Sequence, residues 1–249
     1  MEIREATDSD VDTIRSLAHR SLGSTYTDFL DEETVDDAIE EWYGDSFASE
    51  LEDDGSLVLV VERDGDIVGF SQSDLIGQQH RTGRLLWLHI DPETRGGGIG
   101  VRLLVRTRER LLGEGAEGIQ CFVLEDNEGG NEFYRSNGFE RAGQREVEIG
   151  AETFTENVYA EGELEDDGWG AVDELEVDGE VVYVSYGEAA RGSKAPFYTA
   201  YGSPDRAERY AWLCGNCDSL DNAMDSMGRI ECNVCGNRRK ATRWDSSYL

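Results

Sequence analysis

The chain has 249 residues, 38% of them hydrophobic and 31% charged, with a formal net charge of −31. That length holds one large domain or two modest ones. No apolar run reaches the roughly 18 residues of a membrane span, and the start MEIREATDSD has neither a basic patch nor an apolar core segment, so a cytoplasmic protein without membrane attachment is expected.

Asp and Glu number 54 against 23 Lys and Arg, and lysine occurs only at Lys194 and Lys240. Five Trp and ten Tyr lie among periodic apolar segments, which argues against disorder. The acidity reads as a surface hydrated and dispersed in concentrated salt, where a Debye length of about 3 Å leaves little long-range steering of cationic substrates. The charge is uneven: from Arg206 onward the net is +1, and the preceding 205 residues carry −32. Such a break predicts a separate C-terminal module.

In chain order, Ile3 to Thr7 is a short strand, and Thr7-Asp8-Ser9-Asp10 supplies caps for a helix striped by Val11, Ile14, Leu17 and Ala18. Val35, Ala38, Ile39 and Trp42 mark a second helix. Ser56 to Glu62, the turn Arg63-Asp64-Gly65-Asp66 and Ile67 to Leu75 make a hairpin. Leu85 to Ile90 is a strand, Ile99 to Leu112 a helix, Gly118 to Leu124 a buried strand, Gly129 to Ser136 a short helix and Thr153 to Ala160 a last strand. The acidic stretch Glu161 to Gly168 reads as a linker, placing domain one at 1–161 and domain two at 162–249. In the second, Val172 to Val177 and Val181 to Tyr186 form a hairpin around Asp178-Gly179, and Ala189 to Pro204 is expected to be loop.

The chemistry concentrates in Leu88-His89-Ile90-Asp91-Pro92-Glu93-Thr94-Arg95-Gly96-Gly97-Gly98-Ile99-Gly100, running from a strand through a glycine turn into a helix. Glycines let successive backbone amides approach a ligand, and with the helix N-terminus they form a nest for a diphosphate. No Gly-Lys-Ser/Thr follows, so a P-loop is not expected. Downstream lie Asn127-Glu128-Gly129-Gly130-Asn131-Glu132-Phe133-Tyr134 and then Asn137-Gly138-Phe139.

These two motifs resemble those of the GNAT superfamily of N-acetyltransferases. Arg95, Gly98 and Gly100 meet its Arg/Gln-x-x-Gly-x-Gly/Ala signature, and Asn127, Phe133 and Tyr134 its second one. The resemblance spans about residues 1–160 and implies an α/β GNAT acyl-CoA N-acyltransferase fold, a mixed sheet flanked by helices, that moves acetyl from acetyl-CoA to a primary amine on a protein N-terminus, a lysine or a small molecule. It implies that Arg95, Gly96, Gly97, Gly98, Ile99 and Gly100 hold the CoA diphosphate, that Leu88 and Ile90 meet the pantetheine arm, that Asn127 contacts the cosubstrate, and that Tyr134 protonates the leaving thiolate.

The base is open. Members resembling the ribosomal-protein N-terminal acetyltransferases carry a glutamate where this chain has Phe122. His89, Glu125 and a water chain are the candidates. Arg102, Arg106 and Arg110 fall at i, i+4, i+8 on the motif helix, either as an ion-paired face or with Arg102 reaching a CoA phosphate.

Cys214-Gly215-Asn216-Cys217 and Cys232-Asn233-Val234-Cys235 are two C-x-x-C knuckles 14 residues apart, the spacing of a closed structural Zn2+ site in a small β-rich domain. Cys121 stands alone in an apolar strand and is read as buried. Arg238, Arg239, Lys240, Arg243 and Trp244 offer a contact for nucleic acid, but the surrounding charge makes a protein partner, or a purely structural clip, the expectation. The whole resembles GNAT proteins of salt-loving archaea with a C-terminal extension. The alternative to an enzyme is a binding module that senses acetyl-CoA and engages a partner through the zinc ribbon.

Overall fold

The computed structural model describes residues 1–26, 32–44, 47–51, 55–78, 81–149, 152–162, 172–177, 179–190, 192–225 and 229–239. Most of the proposed linker and the basic residues Lys240 and Arg243 with Trp244 lie outside them. The chain divides into two compact units, Met1–Ile76 with Arg81–Trp169, and Gly77–His80 with Gly170–Leu249. Among the described residues no helix is long and apolar enough to cross a membrane.

The first unit is built on strands β1 (Glu2–Glu5), β2 (Ser56–Arg63), β3 (Asp66–Ile76), β4 (Thr82–Ile90), β5 (Gly118–Leu124), β6 (Glu140–Ile149) and β7 (Glu152–Gly162). They form one sheet in the order β1-β2-β3-β4-β5-β7-β6. Every pairing is antiparallel except β4 with β5.

Strand β2 shows how the sequence encodes a two-sided sheet. Leu57, Leu59 and Val61 join the core on one face, while Val58 and Val60 join the core on the other. Covering both faces gives a continuous apolar run in place of alternation. The first core is closed by α4 (Ile99–Gly113) through Leu103, Leu104 and Leu111, with Tyr134 of α5 (Glu128–Ser136). The second is closed by α1 (Val11–Tyr26) and α2 (Glu32–Tyr43) through Ile14, Leu17, Leu22, Val35 and Ile39. A short α3 (Phe47–Glu50) adds Phe47 to it.

Strand β6 was not expected. Its sequence ERAGQREVEI has few apolar residues, and it lies at the sheet edge with a charged face: Arg145 pairs with Glu156 at 2.7 Å and covers the Phe122 ring at 3.9 Å. Strand β4 also begins three residues before the expected Leu85.

Asn131 joins α5 to the sheet. Its buried Oδ1 accepts from Asn157 Nδ2 (2.7 Å) and Tyr159 Oη (3.0 Å). Its Nδ2 faces the carbonyls of Leu124, Glu125 and Asn127 at 2.7–3.2 Å.

In the second unit, β8 (Val172–Val177), β9 (Glu180–Ala190), β10 (Phe197–Tyr201) and β11 (Arg209–Cys214) form an antiparallel sheet ordered β11-β10-β9-β8. Strands β12 (Asn222–Met224) and β13 (Ile230–Cys232) pair separately. The expected hairpin is present as β8 and β9. The expected loop Ala189 to Pro204 instead contains β10, whose five residues are all buried. A strand covered on both faces carries no polar alternation to announce it.

Removing the Asn131 amide leaves Tyr159 Oη and Asn157 Nδ2 without their acceptor inside the protein. Asn131→Ala is therefore expected to destabilise the first unit by about 3 kcal/mol or more in denaturant unfolding; a loss below about 1 kcal/mol contradicts this role.

Candidate active site and four-thiol cluster

The first site arises from a defect in the sheet. Strand β3 pairs Gln72 with Trp87 and Ser73 with Leu85, so Leu86 is an extra residue, a bulge in β4. Parallel pairing to β5 covers only Thr82–Leu85 against Gly118–Cys121. Beyond the bulge β4 runs on to Ile90 and β5 to Leu124 without pairing, and the two strands splay. A cavity of about 440 Å³ fills the gap, with Leu86, Trp87, Leu88, His89 and Ile90 on one wall and Phe122 and Val123 on the other. The backbone of β4 along this wall has no strand partner on the β5 side, which leaves donors and acceptors for an extended ligand.

The glycine turn borders the cavity through Gly96 and Gly98. Gly96, Gly97 and Gly98 all have positive φ (100°, 62° and 75°), a succession only glycine adopts without strain. Gly98 is the N-cap of α4 and supplies no side-chain cap, so the helix's first amides stay available to an anion.

Arg95 is turned toward α1: its Nη2 donates to Thr25 Oγ1 (3.0 Å) and Ser21 Oγ (3.4 Å). Asp91 caps the short 3-10 turn Pro92–Thr94 and pairs with Arg20 of α1 at 2.5 Å. The cradle is thus clamped to α1 at two points. Arg102 makes no ion pair among the described residues, whereas Arg106 pairs with Glu109, and Arg110 with Glu5 and Glu114.

Tyr134 also lines the cavity, buried against Tyr159 and Phe139. Burial, with Cys121 and Tyr26 close by, pushes its phenol well above the usual range, so it holds its proton at neutral pH. Asn127 caps α5, accepting from Gly130 N (2.9 Å) and donating to Tyr26 Oη (3.1 Å). Burial raises the Tyr26 phenol to about 12.

His89 lines the cavity but is packed among Trp87, Phe70 and Tyr43. Its Nδ1 lies 3.1 Å from Ser21 Oγ. Arg95 can only donate, so Ser21 Oγ accepts from it while also facing Nδ1 of His89. Burial, then the Arg95 charge, lower its pKa to about 3, and the ring stays neutral.

Of the residues singled out from the sequence, Leu88, His89, Ile90, Arg95, Gly96, Gly98, Ile99, Gly100, Asn127 and Tyr134 line this one cavity. Gly97 sits within the turn but not on the lining. Glu125 is exposed and off the lining, its Oε1 accepting from Gln144 Nε2 at 2.9 Å. Sequence reasoning missed Ser21, Thr25 and Tyr26, although Ser21 and Thr25 lie one helical turn apart on α1.

In the second unit the Sγ atoms of Cys214, Cys217, Cys232 and Cys235 all lie within 4.8 Å of one another. Cys214 and Cys235 are 3.6 Å apart and Cys217 and Cys232 3.5 Å, far beyond a disulfide bond. Four sulfurs bound tetrahedrally at about 2.3 Å stand about 3.8 Å apart, so the cluster fits zinc. Cys121 is free and buried, outside this cluster.

Residues 16–139 match the acetyltransferase (GNAT) family, and residues 178–249 match a family of unknown function, DUF5816. Residues 16–139 form a GNAT acetyltransferase domain. Among solved structures the fold is similar to that of the PaiA N-acetyltransferase from Thermoplasma acidophilum in complex with coenzyme A (24% identity, 65% of this chain and 98% of that chain, TM-score 0.57). It is also similar to a GCN5-related N-acetyltransferase from Rhodopseudomonas palustris (18% identity, 65% and 94%, TM-score 0.54).

The neutral His89 of the GNAT domain gives a pH prediction. Its folded pKa lies below the unfolded value of about 6.5, so between pH 6.5 and 3 the unfolded chain binds a proton that the native state refuses. This contribution is complete above pH 6.5 and is lost as pH falls, with a slope of up to about 1.4 kcal/mol per pH unit. His89→Phe is expected to flatten the acid limb of stability measured by denaturant unfolding from pH 7 to 4.5; slopes identical to wild type contradict it.

Proposed function

We propose that the protein transfers acetyl from acetyl-CoA to a primary amine within a ternary complex, using residues 1–161 as the catalytic domain, and that residues 162–249 form a domain stapled by structural zinc. The observation that carries the first part is the left-handed run Gly96–Gly98 at the head of a cavity opened by the splay of β4 from β5. Open amides at the turn suit a diphosphate, with Arg95 and Arg102 the nearby cations, and the unpaired edge of β4 at Leu88 and Ile90 suits the amide-bearing pantetheine arm.

The neutral amine attacks the thioester carbonyl, a C–N bond forms and the C–S bond breaks. Tyr134 gives its phenolic proton to the departing thiolate, and the proton that the new amide nitrogen sheds to water restores the phenol. Asn127 acts through structure, capping α5 and anchoring Tyr26. With Glu125 off the cavity and His89 neutral and buried, we assign proton removal from the incoming ammonium to water at the cavity mouth. The zinc, bound by Cys214, Cys217, Cys232 and Cys235, would cross-link the second domain and leave no open coordination position. We also read the −31 charge as suited to concentrated salt, so binding and turnover are measured at molar salt.

CoA is expected to bind saturably in calorimetric titration, and absence of binding defeats the proposal. Tyr134→Phe is expected to lower kcat about 10²-fold while CoA affinity stays within about threefold; undiminished turnover removes Tyr134 as the acid. Cys232→Ser with Cys235→Ser is expected to abolish stoichiometric zinc, read by metal analysis after dialysis.

A further inference from the structure

The four-thiol cluster is held by more than its own knuckles. Asn237 follows the last cysteine by two residues and is completely buried. Its Nδ2 donates to Cys214 Sγ at 3.4 Å and to the Ala195 carbonyl at 2.7 Å. Its Oδ1 accepts from the Lys194 amide at 2.8 Å and Ser193 Oγ at 3.4 Å. One asparagine side chain thus reaches the Cys214 sulfur and three consecutive residues of the β9–β10 connection. The fit is close: a Cβ at Gly192 would stand 2.7–2.8 Å from both terminal atoms of the Asn237 amide.

Charge explains why such a group is needed. Four thiolates around Zn2+ carry a net charge of −2. Cys214 is 0% exposed and cannot share that charge with water. A buried anion without a donor is costly, and an N–H aimed at sulfur withdraws charge from it.

We propose that Asn237 is the positioning residue of the metal site, a latch whose amide steadies the Cys214 thiolate and at the same time fixes the Ser193–Ala195 loop, so that metal binding also orders the β9–β10 end of the four-stranded sheet. The inference rests on the zinc reading above.

The test uses the full chain, with Zn2+ affinity measured by chelator competition and with Co2+ as a spectroscopic substitute. Asn237→Asp keeps an oxygen for the Lys194 amide but loses the donor to sulfur; Asn237→Leu loses both. Both are expected to weaken Zn2+ about 10–100-fold and, at saturating Co2+, to move the sulfur-to-metal charge-transfer band to longer wavelength. Gly192→Ala changes no ligand but sets a Cβ against the Ala195 carbonyl oxygen as well as against the Asn237 amide, so it displaces the loop together with the latch and is expected to weaken Zn2+ in the same direction.

Wild-type Zn2+ affinity in both Asn237 variants overturns the proposal. A wild-type cobalt spectrum in both variants also overturns it, because packing of the loop alone would leave the loaded chromophore unchanged. A wild-type chain that binds no metal defeats the latch and the zinc reading together, whereas a wild-type chain that binds tightly with indifferent variants defeats the latch alone.

Discussion

The transferase half depends on the bulge at Leu86. Up to Leu85 the sheet is continuous, and every backbone group of β4 has a strand on each side. One inserted residue ends the parallel ladder, and from there β4 bonds only to β3 while β5 bonds only to β7. An unpaired edge in the middle of a sheet leaves backbone donors and acceptors that must find water or a ligand. The cavity is therefore a place where the fold has withheld its own hydrogen bonds, and an elongated molecule bearing amides meets that need better than a compact one. The glycine turn and Tyr134 both line this opening.

Helix α1 adds Ser21, Thr25 and Tyr26 to the lining and is fixed by an ion pair and a hydrogen bond. The Arg20–Asp91 pair and the Arg95–Thr25 bond bind it to the turn that forms the cradle. An exposed ion pair alone contributes little. Here Asp91 also caps the turn entering the cradle, and Arg95 is bonded to helix side chains as well as standing beside the nest, so a shift of α1 would move the geometry of the turn. His89, bonded through Ser21 to the same cluster, carries the coupling into the aromatic core without bearing charge.

Much of this was legible from residues. The glycine turn announces itself because no side-chain-bearing residue tolerates three successive left-handed conformations, and the cysteine spacing announces a cluster because two short knuckles bring four sulfurs together. Strands covered on one face or anchored by long apolar runs were also legible. The bulge was not, since Leu86 looks like its neighbours. Strand β6 hid because a charged edge strand lacks apolar alternation, and β10 because a fully buried one lacks polar alternation. Asn127 and Asn131 illustrate the same limit at side-chain level: the motif marks Asn127 and leaves Asn131 unspecified, and only the fold shows Asn127 as a cap tied to Tyr26 and Asn131 as a hub reaching Asn157 and Tyr159.

The second unit places its thiols inside its core. Phe197, Cys214, Ile230 and Cys232 form one buried cluster, packed by Trp212 and the two half-buried cysteines. Apart from it, the four-stranded sheet buries Leu175, Val182, Val184, Tyr186 and Leu213. Cys214 ends β11, beside β10, and Cys232 ends β13, so a metal bound between them would join the four-stranded sheet to the small hairpin. An ion held there would couple its own binding to the ordering of both elements, because its ligands come from each.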